Sequence, residues 1–282
     1  MNGRNENINL AGIRRVRLFE FEDQAWLPAL FRNYITEIVQ YQVTSYRIYA
    51  PVAGKIKGLM QRAGCDQIID LCSGAGGPLL QIQQILRDED DFHVSVVMTD
   101  RFPNSDVIKR LQQTGVEDVT YLDASIDATS VPDHLKGLRT LFTSFHHLDP
   151  DLAIKVLQSA VEDQAAIAVF EFTERKFLKF IGALLSPIAV LFQTPRISPL
   201  SWGKLLWTYL LPVIPLMYLW DCAISHLRSY TVMELQELVL NVKAERYNWQ
   251  VGIVVPEQTR DTITYLIGFP ARSEEPTSAC IF

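Results

Sequence analysis

Cysteine is sparse. Cys65, Cys72, Cys222 and Cys280 are the four in 282 residues, and their spacing is neither that of a metal ligand set nor that of a disulfide framework. A reducing compartment fits them, so a cytoplasmic setting is expected. Basic charge is also short: 26 Lys and Arg face 32 Asp and Glu, for a net charge of −6. Phosphate contact normally needs a basic face, so nucleic acid is not an expected partner. No internal repeat is evident, which removes solenoids and propellers. The first residues are polar and lack an apolar h-region, so no secretory signal is expected. Cys280 stands third from the end and makes no C-a-a-X prenylation box. The two longest uncharged runs, 180–195 and 205–220, hold 16 residues each, short of the roughly 20 that span a bilayer. Pro187, Pro195, Pro199, Pro212 and Pro215 would break a spanning helix there.

Apolar residues, by contrast, are plentiful. A hydrophobic share of 48% with 21% charge supports a sizeable core. The length suits one large domain or a core with an elaborated cap. Trp26, Leu27, Leu30, Phe31, Tyr34, Ile35, Ile38 and Val39 recur at helical spacing and predict an amphipathic helix from Asp23 to about Gln42. A second helical stretch, 46–63, is interrupted by Pro51, Gly54 and Gly58. Tyr41, Tyr46 and Tyr49 in this part fit core packing or the lining of a cavity.

From residue 66 onward, strand and helix alternate as in a doubly wound α/β sheet. Strands are expected at 67–71, 93–99, 119–122, 140–145 and 165–172, with helices at 78–86, 105–114 and 150–163. A helix at 232–243 and two strands, 249–255 and 262–269, close the pattern. Residues 1–12 and 273–282 read as loose ends.

The segment Ile68-Ile69-Asp70-Leu71-Cys72-Ser73-Gly74-Ala75-Gly76-Gly77-Pro78 is a buried strand, an acid, a glycine turn and a helix start. Such a turn brings backbone close to a nucleotide-like ligand, beneath the N–H groups of the following helix. The dinucleotide pattern G-x-G-x-x-G fails, because Leu79 stands where the third glycine belongs. Aligned from the strand end, the segment reads D-x-C-x-G-x-G. It resembles motif I of the class I S-adenosylmethionine-dependent methyltransferases, usually D/E-x-G-x-G-x-G, with Cys72 in place of the first glycine. Asp100 ends the second strand, 24 residues after Gly76. Ile126-Asp127-Ala128-Thr129-Ser130-Val131-Pro132 resembles the family's D-A-x-x-L-P element. Phe142-Thr143-Ser144-Phe145-His146-His147-Leu148 resembles the segment after its fourth strand. The closing helix and antiparallel strand pair are also similar to the end of that family's sheet.

The resemblance implies a mostly parallel seven-stranded sheet, Rossmann-like, with N-terminal helices (1–64) and an inserted apolar helical cap (176–229). The core is then 65–175 with 230–272, and 273–282 is a tail. S-adenosylmethionine is the implied cofactor, held by Asp70, Cys72, Ser73, Gly74, Gly76, Asp100, Arg101, Asp127, Ala128 and Ser144. Asp100 would accept from the ribose hydroxyls and Asp127 from the adenine amino group, with Asp123 a competing candidate. His146 or His147 is the candidate general base, since an imidazole titrates near working pH. Shaping of the pocket is the alternative role for both. Glu171, ending the fifth strand, would touch substrate or assist a histidine. Neighbouring residues on a strand face opposite ways and no third ligand is evident, so no metal is expected. Cys72 has no cation beside it in sequence and reads as packing rather than as a reactive thiol.

Methyl transfer to a small hydrophobic or lipid-like acceptor, on oxygen or carbon, is the expected activity. Two alternatives stay open: a non-methylating cyclisation or elimination that uses the bound sulfonium, and a non-catalytic membrane-surface module. The 176–229 block has three readings of its own: a lid over an apolar substrate, a peripheral membrane patch flanked by Lys176, Lys179, Arg196 and Lys204, or a homodimer interface. Trp202, Trp207 and Trp220 would carry the membrane contact.

Overall fold

A computed structural model of the chain describes residues 15–256, 262–271 and 280–281. The expected loose ends therefore lie almost wholly outside the described residues. The helices are α1 (Ala29–Ser45), α2 (Ala53–Ala63), α3 (Leu79–Asp90), α4 (Ser105–Thr114), α5 (Pro150–Glu162), α6 (Phe177–Leu184), α7 (Ser186–Gln193), α8 (Trp202–Leu205), α9 (Val213–Arg228) and α10 (Val232–Leu240). The strands are β1 (Gln67–Asp70), β2 (Ser95–Asp100), β3 (Val119–Ser125), β4 (Leu138–Phe142), β5 (Ile167–Glu171), β6 (Tyr247–Val254), β7 (Ile263–Pro270) and β8 (Cys280–Ile281). Two compact units divide the described residues, one of 15–38 with 173–231, the other from 39 to 172 and from 232 onward.

The larger unit is built on one sheet of order β3-β2-β1-β4-β5-β7-β6-β8. β1 pairs in parallel with β2 and β4, and β5 in parallel with β4. β7 is antiparallel to both β5 and β6. β4 and β5 are buried along their whole length, as parallel strands covered on both faces must be. Ile68, Leu79, Ile82, Leu86, Met98, Leu138 and Phe170 form the core between sheet and helices. Gly268 admits the Trp249 ring of the neighbouring strand, because a Cβ there would sit 2.3 Å from Trp249 Cζ3. The sheet is thus the expected seven strands with a two-residue eighth, β8, alongside β6.

Chain order reverses between β1 and β4. β2 and β3 extend the sheet one way from β1, and β4 and β5 the other. That reversal opens a crevice beyond the carboxyl ends of β1 and β4, the usual ligand position in open α/β sheets.

Three expectations about local backbone structure need correction. The fourth strand does not reach Phe145: it ends at Phe142, because Thr143 turns into the left-handed region at φ 50°. Phe145–His147 then form a 3₁₀ turn, so the two histidines do not sit on opposite faces of a strand. Ahead of α2, Pro51 confines the chain to a 3₁₀ turn at Ala50–Val52, rather than a helix from Tyr46. In the first unit, a 3₁₀ turn at Phe21–Asp23 precedes α1, which starts at Ala29 instead of Asp23.

The smaller unit is helical. α9 packs against α6, α7 and a π-helical turn, Leu206–Leu210, that continues α8. Its interior is notably polar. Lys204 Nζ lies 2.7 Å from Glu37 Oε2, and both side chains are buried. Tyr34 Oη and Ser201 Oγ share a hydrogen bond of 3.1 Å. The Asp221 carboxylate accepts from the backbone N–H groups of Phe21 and Glu22, at 2.6 and 3.3 Å. Lys204 therefore does not flank an apolar face as the sequence suggested; it faces inward.

Candidate active site

The β1–β4 crevice is lined first by the glycine turn. Cys72, Gly74, Gly76 and Gly77 all have positive φ, at 61°, 53°, 102° and 45°. This explains a motif that favours glycine at the first position: the backbone there is left-handed, a conformation costing an L-residue roughly 1–2 kcal/mol. Cys72 occupies it nonetheless. Its thiol is pushed up by burial, and further by Asp100, with Asp70 and Asp127 adding to the rise and His147 opposing it. The thiol stays protonated, consistent with a packing role.

Hydrogen bonds hold the turn from three sides. Gly74 N–H donates to Asp100 Oδ2 at 2.8 Å, and the Tyr121 hydroxyl donates to Gly74 O at 2.9 Å. Ser73 N–H donates to Thr99 O at 2.9 Å. Ser73 Oγ donates to Asp70 Oδ2 at 2.6 Å, and Thr140 Oγ1 to Asp70 Oδ1 at 2.7 Å. Asp70 is buried at the end of β1, so both carboxyl oxygens take donors from the protein itself. Burial raises its pKa to about 7, against the pull of the Ser73 and Thr140 hydroxyls and with Asp100 adding to the rise.

Asp100 ends β2, partly exposed. Besides Gly74 it accepts from Phe102 N–H, at 2.7 Å on Oδ1. Arg101 is exposed, its guanidinium 5.9 Å from the Phe102 ring centroid. Asn104 then caps α4, accepting from the Asp106 and Val107 N–H groups.

After β3 the chain folds Asp127 onto its own turn. Asp127 Oδ1 accepts from Thr129 N–H and Oγ1, at 2.8 and 2.7 Å. Those bonds, the side-chain one foremost, hold its pKa below the usual carboxylate value. It is exposed and ionised, whereas Ala128 is buried. Asp123 is exposed on β3.

The fourth and fifth strands supply the remaining groups. Glu171 is buried at the end of β5. Its Oε1 accepts from Phe145 N–H at 2.6 Å and His146 N–H at 3.3 Å, and its Oε2 lies 2.9 Å from His146 Nδ1. Burial alone would raise this carboxyl; the His146 ring and its hydrogen bond, then His147 and Phe145 N–H, outweigh it and bring the pKa below its ordinary value. Glu171 is therefore an anion that fixes a proton on His146 Nδ1. The His147 ring stacks on that of His146, with centroids 4.2 Å apart and planes 34° apart. Ser144 Oγ is buried beside this turn with no hydrogen-bond partner among the described residues, an atom a polar ligand would satisfy.

Two further residues belong to this set, one without a sequence signal of its own and one expected as core packing or cavity lining. Tyr121 holds Gly74, yet in sequence it is one strand residue among many. Tyr49, fully buried, shares a hydrogen bond with Thr143 Oγ1 and donates to Phe170 O at 3.2 Å, steadying the left-handed Thr143.

Strand order, the antiparallel β7 and the acid-ended β1 and β2 around a glycine turn make a doubly wound, Rossmann-like α/β sheet, the architecture that the sequence resemblance implies. No protein-family model matches the chain, and no curated protein matches it. Among solved structures, it is similar to the plantazolicin methyltransferase BamL in complex with a triazolic desmethylPZN analog and SAH. Identity is 10%, the TM-score is 0.48, and 86% of this chain and 98% of that one are covered. The O-methyltransferase NcsB1 from neocarzinostatin biosynthesis shares 16% identity at a TM-score of 0.44, over 79% of this chain and 53% of its own. The pyocyanin biosynthetic protein PhzM shares 16% at 0.43, over 77% and 54%. The chain spans about half the length of these last two.

Proposed function

We propose that this protein is an S-adenosylmethionine-dependent methyltransferase acting on a small hydrophobic acceptor. The observation that carries the reading is the clasp between β1 and β2. Asp100 binds the left-handed glycine turn from the carboxyl end of β2, where a ribose would meet it, and the buried Ser144 hydroxyl is left for a ligand. These groups fit an adenosyl sulfonium: Asp100 toward the ribose, Asp127 and Ala128 toward the adenine, and the glycine turn with Asp70 and Ser73 behind it along the chain of the amino acid. When bound, the cofactor supplies a methyl group on a positively charged sulfur.

The chain's own contribution is alignment and a proton acceptor. Glu171 holds His146 through Nδ1, so Nε2 is the nitrogen that takes the proton from an acceptor hydroxyl or acidic carbon. Burial of the pair keeps water from competing for that proton. The acceptor class rests on the apolar makeup of the chain, and polyketide-, isoprenoid-, quinone- and fatty-acid-like compounds are the ones to try.

The test is to incubate the full chain with methyl-labelled S-adenosylmethionine and such a panel, following label transfer and S-adenosylhomocysteine release. Transfer that His146→Ala slows far more than it weakens cofactor binding supports the base role. Equal loss in both would assign His146 to positioning. No cofactor binding by the wild type would sink the reading.

A further inference from the structure

The helical unit buries Val190, Ile197, Ile214 and Met217, yet it also leaves much of its apolar surface outside. In a soluble helix the apolar stripe faces the core. Across α6 and α7, however, Leu178 (76% exposed), Leu185 (58%) and Phe192 (68%) face solvent, while Ser186, Gln193 and Thr194 are buried. The next stretch repeats the reversal. Trp202 is 87% and Leu210 74% exposed, while Lys204 and Thr208 lie inside. Sixteen large apolar side chains between Phe177 and Trp220 are exposed, far more than scattered surface residues require.

Charge on this stretch has one sign. No acidic residue occurs from Phe177 to Trp220, in a chain whose net charge is −6. The stretch carries Lys179, Arg196 and the inward Lys204, with Lys176 just before it. Among the described residues no single helix is long and apolar enough to cross a membrane. Its two apolar helix pairs are bent instead, by 48° between α6 and the α7 segment and by 76° between the α8 segment and α9. Short, bent apolar helices with tryptophan at their surface and only basic charge match the chemistry of a headgroup boundary.

We propose that residues 177–220 dock this protein on the surface of an anionic lipid bilayer, with Leu178, Phe192, Trp202 and Leu210 entering the boundary and Lys179 and Arg196 meeting the headgroups. The proposal is independent of methyl transfer. A neutral apolar partner would leave the exclusion of acids from this face unexplained; an anionic lipid surface accounts for both the apolar exposure and the single sign of charge.

The experiment is cosedimentation of the full chain with vesicles of phosphatidylcholine, with and without phosphatidylglycerol, together with tryptophan fluorescence. The wild type is expected to bind the mixed vesicles with a blue shift, and to bind pure phosphatidylcholine more weakly. Leu178→Glu, Phe192→Glu and Leu210→Glu, each at an exposed position, should lower binding by about tenfold or more with melting temperature unchanged. Equal binding by these variants would overturn the proposal, as would a wild type that ignores both vesicle types. A lipid-free dimer that the same variants dissociate, without vesicle binding, would also overturn it and assign the face to a second copy of the chain.

Discussion

Ile68, Leu79 and Leu86 lie fully buried in the sheet unit, and its buried acids, Asp70 and Glu171, end β1 and β5. In the helical unit a lysine, a glutamate and threonines lie inside, and leucines and tryptophans lie outside. Both units bury apolar groups, but the helical one also encloses polar pairs such as Lys204 with Glu37, alongside Ile35, Val190 and Ile214. The difference shows that burial alone does not identify function. A buried acid serves the glycine turn in one unit and simply receives backbone N–H groups, as Asp221 does, in the other.

The contrast can be broken most severely at the chemistry. His146→Ala should reduce turnover by about 10²–10⁴-fold, the usual worth of a general base, with cofactor affinity nearly unchanged. No variant of the exposed leucines should approach that loss when assayed with a soluble acceptor.

Stability should separate the units next, in denaturant unfolding. Leu86→Ala is expected to cost about 2–5 kcal/mol through transfer and cavity terms. Lys204→Ala should cost about 3–5 kcal/mol, because it removes the cation 2.7 Å from the buried Glu37 carboxylate. Leu178→Ala should stay within about 0.5 kcal/mol. A large loss at Leu178 would mean that the outward face is covered.

A smaller effect concerns pH. The Asp70 carboxyl titrates near 7 in the folded chain, against about 3.9 when unfolded. A raised pKa means that the folded state holds the proton more tightly. Its contribution is therefore fully present below about pH 4 and is lost as pH rises through 7. Asp70→Asn should flatten the fall of melting temperature across that window. Asp221, also raised by burial and by Glu22 and Glu20, should leave a residual slope that extends to about pH 8. An unchanged slope in Asp70→Asn would remove Asp70 from this role. Smallest of all, Cys72→Gly relieves a left-handed L-residue and should stabilise by up to about 1 kcal/mol. A loss would show that the Cys72 side chain packs better than its backbone is strained.

Much of the sheet was legible in the sequence, because alternating apolar runs, the glycine turn and Asp100 are local signals. The rest depends on contacts between residues far apart in the chain. Nothing near Lys204 in sequence announces Glu37, so a buried ion pair read as a basic flank. The histidine turn was hidden for a related reason. Thr143 is a β-branched residue that favours strand, and the groups that hold it left-handed, the Tyr49 hydroxyl 94 positions earlier and Phe170 O on β5, are distant in sequence. Glu171 and His146 lie 25 residues apart and meet only because β4 and β5 are neighbours.

The most direct test of the central claim is calorimetric titration of S-adenosylhomocysteine, and of its 2′-deoxy analogue, into the wild type and Asp100→Ala. The ribose role predicts one site per chain, weakened about 10–100-fold by the substitution. It also predicts that removing the hydroxyl costs the wild type much and the variant little, while both proteins keep the same fold by circular dichroism. Equal affinities in wild type and Asp100→Ala, or no binding at all, would contradict it.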